Sequence, residues 1–227
     1  KKARKNGAEY LKNEVVGIGR EWDRLTSVTL ASGETVACGT VVNAAGPRAS
    51  LIADMVGVEL KIEPRKRYTF VFDCAEDLGR DVPLTIDPSG VHVRSDGDAY
   101  MAGCTPDIDP AVAYDDYEID QDIFEDKVWP ALVNRIPAFE RIKIQTQWAG
   151  HYAHNDFDHN VIVGPHGDVA NFVLANGFSG HGVQQSPAIG RGVSELITYG
   201  EYRTLDLTSL GHARIVDGEP FIESAII

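Results

Sequence analysis

Residues 172–197 read Phe172-Val-Leu-Ala-Asn-Gly-Phe-Ser-Gly-His-Gly-Val-Gln-Gln-Ser-Pro-Ala-Ile-Gly-Arg-Gly-Val-Ser-Glu-Leu-Ile197, and this stretch decides the fold. The apolar run 172–175 predicts a buried strand. Gly177, Gly180 and Gly182 then predict a tight turn. Ile189, Val193, Leu196 and Ile197 recur at helical spacing, so the turn opens into an amphipathic helix. Ser186 before Pro187 fits an N-cap followed by proline at the first helical position, or the helix starts earlier, near Gly182. A glycine-rich turn at a helix start lets backbone N–H groups approach a ligand, and the helix dipole favours an anion there. The pattern fits two readings equally: a ligand-holding turn, or a strand-to-helix corner that holds nothing.

Composition narrows the classes. The chain has 227 residues, 43% hydrophobic and 24% charged, which fits one large globular domain or two smaller ones. The net charge of −13 argues against nucleic acid and anionic membrane surfaces as partners. No run of 18 apolar residues exists to span a bilayer. The start, Lys1-Lys2-Ala3-Arg4-Lys5-Asn6, has no apolar segment behind it that would make a signal peptide. Cys38, Cys74 and Cys104 are odd in number and widely spaced, and read as reduced structural thiols.

Along the chain, residues 3–11 predict a helix and residues 14–38 a three-stranded meander. Residues 40–45 form a short apolar run, the mark of a strand covered on both faces in a parallel sheet. Gly46-Pro47 ends it, and Leu51, Ile52, Met55 and Val56 mark a helix. From Pro64 on, short strands at 67–72, 84–86, 91–94 and 100–103 alternate with Asp/Pro/Gly turns and predict an antiparallel sheet. The acidic stretch 107–122 is expected to be a solvated loop. It leads into a helix whose buried face carries Phe124, Val128, Leu132 and Val133. Strands at 142–148 and 161–163 complete the pass.

Gly177-Phe178-Ser179-Gly180-His181-Gly182, followed by Pro187-Ala188-Ile189-Gly190, resembles the C-terminal flavin loop of the D-amino-acid-oxidase-like FAD-dependent oxidoreductases. That family includes sarcosine and dimethylglycine dehydrogenases and glycine oxidase. The likeness is densest to its branch of FAD-dependent oxidoreductase domain-containing proteins. It runs through residues 124–130, Trp148-Ala149-Gly150 and Val163-Gly164-Pro165-His166 to the end, and covers nearly the whole chain.

The resemblance implies a mixed α/β and α+β fold: the C-terminal part of a Rossmann-like FAD-binding domain plus an antiparallel-sheet substrate domain. It divides the chain into a first piece of the FAD domain (1–60), the substrate sheet (61–158) and a return segment with the flavin loop and C-terminal helix (159–227). No strand–G-x-G-x-x-G–helix unit is present; Gly17-Ile18-Gly19 runs into Arg20-Glu21-Trp22 instead. The residues that grip the ADP half of FAD are therefore expected outside this chain, and the chain is expected to be the C-terminal portion of a longer polypeptide, with the rest of that polypeptide as its partner. This portion alone is expected to hold FAD poorly.

The family's chemistry is oxidation of a small amine or amino acid, such as an N-methylated amino acid, by hydride transfer to FAD. The resemblance places Gly177, Phe178, Ser179, Gly180, His181, Gly182, Val183 and Gln184 along the cofactor. It places Ala45 and Gly46 near its phosphates and the backbone of Val15 near the adenine. Several family features are absent. Gln184 stands where sarcosine oxidases carry a substrate-binding lysine, Gly150 where they carry a flavin-linking cysteine, and Met101 near their oxygen-activating lysine. Tyr152 stands where glycine oxidase has an arginine. FAD is therefore expected to be non-covalent. The candidate substrate residues are Arg94 and Tyr152, with His92 and His151 beside them, and His181 in the loop.

The five histidines at 151, 154, 159, 166 and 181 match no metal-ligand spacing, so no metal is expected. Ser179 lies outside any G-x-S-x-G elbow, which argues against a serine hydrolase. Two rival readings stand beside the enzyme: an assembly factor for a respiratory complex with little turnover, and an α/β scaffold without cofactor. The expected location is the cytoplasm, or the mitochondrial matrix in a eukaryote.

Overall fold

The computed structural model describes residues 1–224, which form three sheets and a few helices. The first is the meander: β1 (Val15–Glu21), β2 (Arg24–Leu30) and β3 (Thr35–Ala37), paired antiparallel in sequence order. The helix α1 covers only Lys2–Lys5, short of the expected 3–11. Gly7, at φ +92°, breaks it, and no apolar face holds the segment down: none of its residues is buried.

The second sheet carries β4 (Val41–Asn43), β10 (Ile162–His166) and β11 (Val169–Asn176) in the order β10-β11-β4. β11 pairs parallel with β4, Phe172 opposite Val41 and Leu174 opposite Asn43. Pairing is parallel as expected, but β4 is not covered on both faces. It forms the sheet edge, and Val42 is 39% exposed while Asn43 is buried. Helix α2 (Ala49–Asp54) follows and buries Ala49 and Ala53 with Val56, Leu174 and Phe172 in one core.

The third sheet has five strands in the order β6 (Thr85–Ile86), β7 (His92–Asp96), β8 (Ala99–Cys104), β5 (Ile62–Cys74) and β9 (Ile142–Asn155). Side chains alternate between its faces. On one face Tyr68, Phe70, Phe72 and Val93 pack under a π-helical turn (Phe124–Val128) and helix α3 (Trp129–Arg135), with Val128, Leu132 and Phe139 completing the core. The opposite face carries Arg65, Arg67, Thr69 and Val71 of β5, each half-buried. Ile62, at the start of β5, belongs instead to the core under α2, so this long strand ties the two cores together.

Helix α4 (Gly182–Tyr199) starts at Gly182 and runs through Pro187. Proline lacks the N–H that would bond the Val183 carbonyl. The Ser186 hydroxyl donates to that carbonyl at 2.9 Å instead, so the Ser-Pro pair sits inside the helix rather than opening it. Gly200 ends α4 in the left-handed conformation, φ +78°. The short helix α5 (Ala213–Val216) closes the described chain and buries Arg214.

Candidate cofactor and substrate site

Because β4 and β11 are parallel neighbours, their carboxyl ends lie side by side, and the chain leaves both at one edge. That edge is where open parallel sheets take ligands. Two asparagines fasten it. Asn176 Nδ2 donates to the Asn43 carbonyl at 2.9 Å, and Asn43 Nδ2 donates to the Ala49 carbonyl at 2.9 Å. The Ala45 N–H reaches Asn43 Oδ1 at 3.3 Å. Gly46 follows at φ +56°, with nothing within 4 Å of the place its Cβ would occupy.

After β11 the chain folds through Gly177 (φ +66°), Ser179 (φ +43°) and Gly180 (φ +96°). Ser179 is fully buried and is a non-glycine residue in a region that costs energy. Four hydrogen bonds hold it. Its N–H donates to the Ala153 carbonyl at 3.1 Å, and its hydroxyl accepts the Asn155 N–H at 3.1 Å and donates to the Gly177 carbonyl at 3.4 Å. Its carbonyl accepts the Tyr152 hydroxyl at 2.5 Å. Ser179 is thus the staple that joins the turn to β9.

The turn delivers the chain into α4. His181 is its N-cap, and no side chain caps the first turn. The N–H groups of that turn have no partner within the helix, so the positive helix end is open to a ligand. Val183, in the same turn, is 87% exposed. Three buried polar atoms around the turn lack partners: Asn176 Oδ1, His181 Nδ1 and Gln185 Oε1. On the meander side, Val15 and Ala45 line one apolar depression of about 260 Å³ with Ile18, Val28, Val41, Val42 and Ile52. An open helix end, orphaned polar atoms and an apolar depression fit an elongated ligand with an anionic middle and a flat apolar end. FAD has that form.

The half-buried face of the third sheet meets this turn through Tyr152. The register sets Tyr152 opposite Arg65 and Gly150 opposite Arg67. The Arg67 guanidinium lies 4.2 Å from the centroid of the Tyr152 ring. Burial pushes the Tyr152 phenol up, with the charge of Arg67 opposing it. Arg94 shares this face but sits in another row: it pairs with Met101, which pairs with Val71. Val71 is six positions from Arg65, so Arg94 lies about 20 Å along the sheet from the Tyr152 row. Its guanidinium bonds Asp96 at 3.0 Å, and its side chain is 43% exposed. His92 lies over Gly103, and burial holds its imidazole below the usual range. His151 faces away, its ring stacked on Tyr117 and its Nε2 2.7 Å from the Asp116 carbonyl. The structure therefore joins Tyr152 to the turn that carries His181, and leaves Arg94 and His151 apart from it.

Sequence reasoning missed Arg67 and the Asn43–Asn176 clasp. A signal for the clasp exists, since each asparagine ends an apolar strand run where a polar residue needs a partner. Among the described residues no group of three or more His, Cys, Asp or Glu side chains could hold a metal ion, and no helix is long and apolar enough to cross a membrane.

The profile of the FAD dependent oxidoreductase family matches residues 1–196. FAD-dependent oxidoreductase domain-containing protein 1 of Xenopus laevis is 42% identical over 207 residues, which are 86% of this chain and 42% of that protein. The chain thus spans less than half the length of that relative. Among solved structures, L-proline dehydrogenase from P. horikoshii superimposes with a TM-score of 0.87 at 29% identity, over 96% of this chain and 58% of the other. Glycine oxidase from Geobacillus kaustophilus shares the fold, with a TM-score of 0.71 at 20% identity, over 89% of this chain and 52% of the other.

Proposed function

The chain belongs to the family of FAD-dependent oxidoreductases, and we propose that it forms the flavin-loop and substrate-sheet portion of an enzyme that oxidises a small amino acid. These residues would hold FAD, which would supply the hydride acceptor for the C–H beside the substrate's amine nitrogen. The residues of this chain bind and orient. The open start of α4 would receive the anionic part of the cofactor, and the turn 177–182 would run along it. Ala45 and Gly46 would lie near the phosphates, and the Val15–Ala45 depression would cover an apolar end.

The observation that carries this reading is the uncapped N-terminus of α4, with three partnerless buried polar atoms on Asn176, His181 and Gln185 of the same stretch. Attachment of FAD would be non-covalent. Gly150 offers no thiol, Cys104 is buried with its thiol pushed up to about 11, and Cys74 Sγ donates to the Ala138 carbonyl. In a polypeptide as long as the relatives, an ADP-binding segment outside these residues would complete the site, and the protein would reside in the cytoplasm or mitochondrial matrix.

The test is the absorbance spectrum of the full-length protein, followed by its reduction on adding L-proline, sarcosine or N,N-dimethylglycine. Flavin bands that bleach under anaerobic substrate support the reading. A colourless protein, or a yellow one that none of a panel of amino acids reduces, overturns it.

Gly182→Val separates cofactor contact from folding. Gly182 has no positive φ, and a Cβ there would meet Phe178 Cβ at 3.5 Å, an ordinary contact. The variant should keep the wild-type unfolding free energy within about 0.5 kcal/mol, while its flavin-to-protein ratio falls. Equal flavin content in the variant and wild type would remove Gly182 from the cofactor site.

A further inference from the structure

A second polar constellation stands beside Tyr152. Arg67 makes a two-pronged pair with Asp109: Nη1 to Oδ1 at 2.8 Å and Nη2 to Oδ2 at 3.0 Å. This is the fork-to-carboxylate geometry with which arginine recognises a carboxylate. The same guanidinium lies over the Tyr152 ring, and Tyr152 is bonded to Ser179 in the turn. Arg65 Nη1 stands 3.8 Å from Asp109 Oδ2 on the same face. A carboxylate thus already occupies the guanidinium that covers Tyr152, and the chain itself supplies it.

The segment that bears Asp109 is fastened at its two ends and exposed between them. Lys127 Nζ holds its start through the Thr105 carbonyl at 2.7 Å and Asp107 at 2.5 Å. The Val112 N–H holds its end to the Pro64 carbonyl at 2.9 Å. Between these pins Ile108, Pro110 and Ala111 are exposed, Ile108 by 84%. Lifting the tip buries or exposes little apolar surface, and the tip engages the sheet through the Asp109 carboxylate.

We propose that Arg67, stacked on Tyr152, is the carboxylate receptor for an amino-acid substrate, and that Asp109 is an internal occupant that the substrate's carboxylate displaces. The inference rests on the amino-acid oxidoreductase reading and adds to it the residue that selects an amino acid over a plain amine. Exchange of one carboxylate for another keeps the arginine paired throughout, so the guanidinium is never left without a counter-charge. Asp109 also acts as a competitor: every amino acid bound must overcome it, which lowers apparent affinity by the fraction of time the tip is closed.

The test uses full-length flavin-loaded protein and two fluorescent probes: anthranilate, which has a carboxylate, and aniline, the same ring without one. Asp109→Asn, which removes the competing charge, should tighten anthranilate about 10-fold. Arg67→Met should weaken it about 10- to 100-fold, and Arg67→Lys, which keeps the charge but not the fork, should fall between. Aniline should respond to none of them. Should Arg67→Met fail to fold, Asp109→Asn and Arg67→Lys still decide. Anthranilate affinity unchanged by Asp109→Asn and Arg67→Lys, aniline shifts as large as those of anthranilate, or no anthranilate binding even in Asp109→Asn would each overturn the inference. The two readings fail separately. Anthranilate shifts as expected in a protein that oxidises no amino acid sink the enzyme and keep the carboxylate receptor. Turnover of an amino acid with KM unmoved by Arg67→Lys does the reverse.

Discussion

Gly180→Val should lower the unfolding free energy by about 2–5 kcal/mol, the sum of backbone strain and overpacking. Gly180 sits at φ +96°, where a β-branched residue is a strong outlier. A Cβ there would meet Tyr152 Cε2 at 2.9 Å. That ring cannot retreat cheaply, since its hydroxyl is tied to the Ser179 carbonyl and Arg67 covers its face. Gly177→Val should behave the same way, because its Cβ at φ +66° would press on Ile62 Cδ1 at 2.6 Å and Asn155 Cβ at 2.9 Å. Gly97→Ala supplies the comparison. Gly97 has φ +63° and open space around it, so only strain applies there, about 1–2 kcal/mol. Urea midpoints at constant m-value measure all three. Losses at 177 and 180 no greater than at 97 would mean the turn is loosely seated on Tyr152 and Asn155. The contrast with Gly182 matters for function. Gly177 and Gly180 set the shape of the turn, so flavin loss in their variants reports folding, whereas loss in Gly182→Val reports contact.

What the sequence reveals of this fold is what local pattern can encode. The strand at 172–175, the turn and α4 follow from an apolar run, glycines and a 3.6-residue repeat, all within a few turns of chain. The parallel placement of β4 is legible for the same reason. Its edge position is not, because a short, nearly continuous apolar run reads alike whether one or two strands flank it. β9 illustrates the same limit. Residues 142–148 signal a strand, but the strand runs on to Asn155 because His151, Tyr152, Ala153 and His154 pair with Lys66, Arg65, Pro64 and Glu63. Nothing local marks those positions. The site divides along the same line. Glycines at a helix start announce themselves. The Tyr152–Ser179 bond spans 27 residues and the Arg67–Asp109 pair 42, so both arise from loops folding back on the sheet rather than from a motif. Of the two helix starts the sequence allows, the structure takes the earlier one, at Gly182. Ser186-Pro187 then falls inside the helix, where the Ser186 hydroxyl donates to the Val183 carbonyl that the proline leaves without an N–H.

Asp158→Asn should cost about 3–5 kcal/mol at pH 7, the range for removing one partner of a buried ion pair. Asp158 and Arg214 are both buried, 2% and 7% exposed. Arg214 Nε donates to Oδ2 at 2.6 Å and Nη2 to Oδ1 at 3.0 Å. Asn155 Nδ2 and the Asn160 N–H also donate to Oδ1, and the Phe221 N–H donates to Oδ2. Each of these five partners is a donor, so an asparagine would turn an amide NH2 against donors and leave the Arg214 charge without its counter-ion. Burial pushes the Asp158 carboxyl up, but Arg214 and the backbone N–H groups of Phe221 and Asn160 outweigh it and hold the group below the usual carboxylate range. The sign of the pH dependence follows. A lowered folded pKa gives stability that is fully present above the unfolded value, about 3.9. It is lost as pH falls through the folded value. The gap between wild type and Asp158→Asn should therefore be constant from pH 7 to about 5 and close below about 4. The effect should be felt first in the last described residues, because the Phe221 and Glu223 N–H groups dock on Asp158. Limited proteolysis should clip Asp158→Asn after α5 at pH 7 while the wild type stays intact. A gap under 1 kcal/mol at pH 7, or one that persists undiminished at pH 3, would show that the pair is replaceable and that other contacts fasten this end of the chain.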